Sequence, residues 1–207
     1  MMQLHRVTPP DGVHAALESR RPHPAGRRLV SVERSTRPAD ERALSGLKSA
    51  AFGAVSGCLA TIPMTATMTM AAGYSALPQN EHDSLPPRQI TMKLAQAVGV
   101  VHKMDELERV EATAATHFAY GTLMGGVFGA LVRGRVRPDV ETGIAFGLTV
   151  WAGSYLGLLP ALGLLSPATQ HPTNRNLLMM GAHVVWAAAL ACTQQRLLTT
   201  DEQSNHI

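Results

Sequence analysis

Residues 142–165, TGIAFGLTVWAGSYLGLLPALGLL, run for twenty-four positions without one charged side chain. At about 1.5 Å per residue, a helix of that length covers the roughly 30 Å hydrocarbon core of a bilayer with a few residues over. Only a helix can satisfy all its own backbone polar groups there. Three other apolar stretches resemble it. The chain therefore reads as an all-α integral membrane protein with four transmembrane helices, at about 47–73, 113–132, 142–165 and 177–195. The last is the shortest, with an apolar core of about fifteen residues at 177–191.

Composition alone would also suit a soluble domain, with 45% hydrophobic and 16% charged residues. The distribution of charge decides between the two. Of the 18 Lys and Arg, only Arg133, Arg135 and Arg137 fall within residues 112–174, and those sit in one short loop. The expected organisation is a disordered basic cytoplasmic tail over 1–43, a four-helix membrane domain over 44–198 and a short C-terminal tail over 199–207. The tail carries five prolines, eight arginines and five acids with no sustained periodicity. Its Arg-Arg pairs precede no short apolar region of the kind a cleaved leader needs. The net charge of +3 comes mostly from this tail, and 4% aromatics leaves no stacking platform for nucleic acid, so the expected partner is the lipid bilayer. Cys58 and Cys192 both lie in apolar runs without metal-ligand spacing, and they carry no redox or zinc signal.

Small residues mark the packing faces. Ser49, Gly53, Gly57, Thr61, Thr65 and Thr69 follow one another at four-residue steps along the first span. Gly121, Gly125 and Gly129 do the same on the second. Such faces let helix backbones approach closely, within one chain or between copies in a homo-oligomer. Pro63 removes the bond to the Leu59 carbonyl and predicts a kink, with threonine hydroxyls occupying freed backbone groups. Between the first two spans, Pro86 and Pro87 open an amphipathic helix over about 86–101. It is expected to lie at the membrane surface as an interfacial helix, and the alternative is a helix covering one end of the bundle. The acids at Asp105, Glu106, Glu108 and Glu111 then stand before the second span, where they complement a helix N-terminus.

Orientation follows from the Lys and Arg balance. With the N-terminus inside, thirteen fall on the inner side and five on the outer, so both termini are expected in the cytoplasm. A short pattern also recurs, His117-Phe-Ala-Tyr120 against His183-Val-Val-Trp186, and the first and third spans each carry Gly-x-x-x-Gly and a proline. These hint at two parallel two-helix repeats.

No metalloprotease or phosphate-loop motif occurs, no Asp or Glu lies within a span, and no cofactor or catalytic residue is expected. Ser56 in GAVSG reads as a packing residue. Met64, Met68, Met70, Met124, Met179 and Met180 permit a soft-metal reading such as copper, but thioethers are also adaptable core fillers. His117 and His183 are the strongest candidates for a polar or pH-sensing site. Both lie within about two turns of the start of their spans, hence at one depth, and histidine titrates near neutral pH. The alternative for each is a neutral ring bonded between helices, to Thr61, Thr65 or Ser154.

In these features the chain resembles the uncharacterised small inner-membrane proteins of bacteria that include the YagU-like family. The resemblance rests on the four-span layout, LPPRQIT at 85–91, and the run from Trp151 through SYLGLLPALGLLSPATQHP to the histidine-bearing last span, and it covers residues 46–196. It implies a bacterial inner-membrane protein with a link to acid tolerance and no established activity. The expectation is thus a structural or accessory membrane protein. The alternatives are a small transporter or pH-responsive channel using the histidines, or copper handling.

Overall fold

The first helix, α1 (Ala39–Gly73), carries Pro63 in its interior and is continuous through it in a computed structural model that describes residues 39–73, 85–133 and 138–204. Expectations for the tail over 1–38 and for Arg135 and Arg137 lie outside those residues, and the helix already begins at Ala39, within the stretch expected to be a disordered tail. The threonines of α1 fold their hydroxyls back on the helix. Thr61 donates to the Gly57 carbonyl, Thr65 to Thr61 and Thr67 to Pro63, each at 2.8 Å. Such bonds hide the hydroxyl from an apolar surrounding. Their acceptors, among the described residues, do not include the Leu59 carbonyl that the proline frees.

Helix α2 (Pro86–Ala97) starts on its two prolines and stops four residues short of the expected end. Gly99 adopts φ +77°, a left-handed conformation that glycine enters without steric cost, and the chain leaves the helix there. After a 3-10 turn at Val101–Lys103, α3 (Glu106–Leu131) begins in a capping box. The Glu108 N–H donates to Asp105 Oδ1 at 2.9 Å, and the Asp105 N–H donates to Glu108 Oε2 at 2.8 Å. The acids are therefore the first turns of α3, which starts earlier than the apolar run because the box fixes its end.

Helix α4 (Val140–Ala152) is capped by Asp139, whose carboxylate accepts from the Thr142 N–H at 2.6 Å. It continues as a π-helical segment, Gly153–Leu158, and one last α-turn, Leu159–Ala161. Pro160 explains the change of winding. A proline cannot donate to the carbonyl four residues back and its ring collides with it, so a wider turn before it relieves the clash. The Leu159 N–H bonds to the Ser154 carbonyl, five residues back. Helix α5 (Thr173–Ser204) is far longer than the fifteen apolar residues at its core. Gln194 is completely buried within it.

All these elements belong to one unit, Ala43–Ile207, apart from the first turn of α1. Within it, α1 and α3 lie antiparallel and touch backbone to backbone. A Cβ on Gly53 would fall 2.8 Å from Gly129 Cα, one on Gly57 2.8 Å from Gly125 Cα, and one on Gly125 2.7 Å from Gly57 Cα. Ser49 Oγ donates to the Gly129 carbonyl at 2.7 Å across the same contact. Helices α4 and α5 form a second close pair, in which a Cβ on Gly143 would stand 2.8 Å from the Ala187 carbonyl oxygen and one on Gly147 2.9 Å from that of His183. Phe128, Phe146 and Trp186 link α3, α4 and α5 through ring contacts of 5.2 and 6.2 Å. Trp186 Nε1 donates to the Gly57 carbonyl at 3.3 Å and ties α5 to α1.

Three helical stretches are long and apolar enough to cross a membrane, Ala43–Ala71, Val140–Ala161 and Thr173–Ser204. This is a membrane protein by that criterion. Helix α3 is not among the three. Its glycines, threonines, His117 and Tyr120 dilute the apolar content over the length that counts.

Candidate functional site

The apolar helices do not close completely on one another. Between the second half of α1, the middle of α3, the π-helical stretch after α4 and the first half of α5 lies a cavity of about 300 Å³. Helix α2 lies across it, contributing Pro87, Ile90 and Leu94. The amphipathic helix thus packs its apolar side over the cavity.

Both candidate histidines, His117 from α3 and His183 from α5, line this cavity. His117 Nδ1 lies 3.3 Å from Thr65 Oγ1, one of the partners its position allowed. His183 Nδ1 lies 2.8 Å from the carbonyl of Met179, one turn earlier on its own helix. Ser154 bonds instead to Tyr120, with the two hydroxyls 2.8 Å apart. Tyr155 packs edge-on against the His183 ring at 6.0 Å and donates its hydroxyl to Met179 Sδ at 3.9 Å.

The glycines divide between two places. Gly121 is at once part of the α1–α3 contact and a wall of the cavity, whereas Gly53, Gly57, Gly125 and Gly129 lie in the helix contact alone. Of the methionines, Met64, Met68 and Met124 line the cavity and Met179 is buried beside it, while Met70 is exposed. Ser56 is completely buried, its hydroxyl without a partner among the described residues. Among the described residues no group of three or more His, Cys, Asp or Glu converges, and Cys58 and Cys192 are free thiols.

Tyr120, Ser154, Tyr155 and Trp186 are cavity residues that the sequence reading did not single out as a site. A signal for two of them was present. The paired His-x-x-aromatic pattern places Tyr120 and Trp186 one turn beyond each histidine, hence on the same wall. Ser154 and Tyr155 had no such signal, because their aim depends on the π-winding of Gly153–Leu158. Segments of this kind recur at functional sites, since the extra residue in the turn redirects side chains that an α-helix would hold elsewhere.

Polar contacts hold α2 over the cavity. Arg88 grips Glu106 through both carboxylate oxygens, at 2.7 and 3.0 Å. That hydrogen bond, with the guanidinium charge, holds the Glu106 carboxyl below the ordinary carboxylate value even though the group is exposed. Lys93 Nζ donates to the Gly163 carbonyl at 3.0 Å, just beyond the last turn of α4, where Gly163 adopts φ +68°. The Arg175 guanidinium, buried at the start of α5, reaches Gln89 Oε1 at 3.5 Å and His171 Nδ1 at 3.0 Å. Helix α2 is therefore fastened to the start of α3, the end of α4 and the start of α5.

The arrangement can enclose a small molecule in an apolar space with a few polar atoms on its wall, the usual construction of a ligand site between helices. No curated protein and no solved structure matches the chain. A family does match, over residues 64–192, a stretch that contains both histidines and every cavity residue except Thr61. The chain belongs to that family, Protein of unknown function (DUF1440).

Proposed function

We propose that this protein is a four-span bacterial inner-membrane protein of accessory type that holds a small lipophilic molecule between its helices. The observation that carries the reading is the cavity of about 300 Å³, walled by aliphatic, methionine and aromatic side chains and touched by two histidines from different helices. Its volume reaches the lower end of the range for small-molecule sites. The function is binding, and no side chain is given a catalytic role.

The fourth span in this reading is α3. It runs antiparallel to α1, with Gly121 against Gly57 and Thr61 near one end and Gly129 against Ser49 near the other. A helix held along the length of a membrane-crossing neighbour shares its depth, and its polar groups turn toward the bundle. The cavity then lies mostly in the outer half of the membrane, under α2, with Met124, Val150 and Trp186 near the midplane. A cavity that ends near the midplane favours holding a molecule over passing it across.

Bromobenzene provides the test, because its heavy atom quenches indole fluorescence on contact and Trp186 lines the cavity. In detergent-solubilised protein the quenching is expected to saturate. Val150→Phe, which extends a ring into the cavity, is expected to abolish the saturable component. Quenching that rises linearly and equally in both proteins would sink the reading.

A soft monovalent ion of the copper(I) class is a second reading, favoured by Met64, Met68 and Met124, which line the same cavity as the two imidazoles. It ranks second because the cavity is far larger than one ion requires. A silver stoichiometry on the purified protein separates the two readings.

A further inference from the structure

The hydrogen bonds around the cavity fix which of its polar atoms remain open, and through them the chemistry of the ligand. The inference rests on the binding role given to this cavity above. A carbonyl oxygen only accepts, so the 2.8 Å contact to Met179 requires the His183 proton to sit on Nδ1. The Thr65 hydroxyl already donates its proton to the Thr61 carbonyl at 2.8 Å, and its oxygen is then the acceptor for His117 Nδ1–H at 3.3 Å. Both neutral rings are thereby set in the same tautomer. Each is left with Nε2 as a bare lone pair, without a partner among the described residues, on a side chain that lines the cavity.

The donors on the wall are spent elsewhere. Thr61 donates to the Gly57 carbonyl, Thr116 to Ala112, Tyr155 to Met179 Sδ and Trp186 Nε1 to Gly57. The pair Tyr120 and Ser154 uses one hydroxyl proton on itself and retains one. Among the described residues no Asp, Glu, Lys or Arg lines the cavity. The described wall thus offers two unpartnered imidazole lone pairs and at most one free donor to an otherwise apolar, uncharged space.

We infer that the cavity selects a neutral, lipid-soluble ring compound bearing hydroxyl donors, of the phenol or hydroquinone class, whose O–H groups are received by His117 Nε2 and His183 Nε2. A buried acceptor without a donor costs free energy, so a molecule that supplies two O–H groups is favoured over one of the same shape that supplies none. A quinone, with two carbonyl acceptors, meets the histidine lone pairs acceptor to acceptor. The reduced form is held and the oxidised form rejected.

Three compounds of one shape test this: tetramethylhydroquinone, tetramethylbenzoquinone and tetramethylbenzene. Their binding is measured anaerobically through displacement of bromobenzene quenching. Two hydrogen bonds gained predict a preference of about tenfold or more for the hydroquinone over each of the others. That preference is expected to shrink in His117→Phe and in His183→Phe, which keep a ring in place and remove the acceptor. Equal binding of all three compounds to the wild type would overturn the donor inference and leave the cavity as a binding site. Binding of none would overturn both. Because the wild-type comparison is decisive by itself, a histidine variant that fails to fold does not weaken the test.

Discussion

Gly143-x-x-x-Gly147 and Gly153-x-x-x-Gly157 have the same spacing and different fates. A Cβ on Gly147 would meet the Ala187 Cβ at 2.5 Å and the His183 carbonyl at 2.9 Å, whereas around Gly153 and Gly157 nothing lies within 4 Å. Ten residues along an α-helix add about 280° beyond whole turns, so the two pairs cannot both face α5, and the π-winding turns the second pair further. Spacing makes a small-residue face legible in the sequence, but which face meets a partner is decided by the neighbouring helix. Gly147→Ala is expected to lower stability by about 1–3 kcal/mol through overpacking. Gly153→Ala and Gly157→Ala are expected to leave it unchanged or slightly raised, since alanine restricts the unfolded chain more than glycine does. On the α1–α3 contact, Gly125→Leu is expected to destabilise far more than Leu123→Ala, because Leu123 is 61% exposed. Chemical denaturation in mixed micelles ranks all five variants. A Gly125→Leu protein as stable as Leu123→Ala would mean that the close contact contributes nothing.

At the scale of elements, α2 is the piece whose role depended most on its surroundings. Its amphipathic pattern and proline start are plain in LPPRQIT, yet the same pattern serves a membrane surface and a bundle end. The contacts that fasten it over the cavity are long-range, Lys93 to Gly163 and Arg175 to Gln89, and no local pattern encodes them. The histidines were legible for a simpler reason, since polar rings are rare in apolar runs. Their sharing one cavity follows from the packing of α3 against α1 and of α5 against α4. The Arg88–Glu106 bond gives α2 a pH dependence whose sign is fixed. Glu106 has its folded-state value below the ordinary 4.5, so the bond's contribution is full above that value and is lost as pH falls through the lower, folded-state value. The group is exposed, so the effect is modest and weakened by salt. Hydrogen exchange of the α2 amides, compared between pH 6 and pH 3.5 after correction for the intrinsic rate, is expected to show lost protection at the lower pH. Glu106→Gln is expected to show a smaller change. The same loss in both would place the acid sensitivity elsewhere.

For the whole molecule, the question is how many helices cross the membrane and which way they point. Lys48 Nζ, near the start of α1, lies 2.6 Å from Asp201 Oδ1, near the end of α5, so the chain enters and leaves the bundle at the same end. An odd number of crossings would put these two residues on opposite faces of the membrane. Three helices qualify by apolar length, and the four-span reading proposed above adds α3, which is pinned antiparallel to α1 through Gly121, Gly125 and Gly129, to make the count even. Direction then follows from charge. In the four-span reading the sequence assigns thirteen Lys and Arg to the side of Lys48 and Arg196 and five to the other. In the proposed orientation that excess keeps its side in the cytoplasm. The cavity and α2, at the opposite end, are then presented toward the outside. Reporters fused after residues 79, 138 and 170 are expected to read outside, inside and outside. An inside signal after residue 79 would reverse the orientation and place the cavity under the cytoplasmic face. An outside signal after residue 138 with an outside signal after residue 79 would remove α3 from the membrane, and the shared depth of His117 and His183 with it.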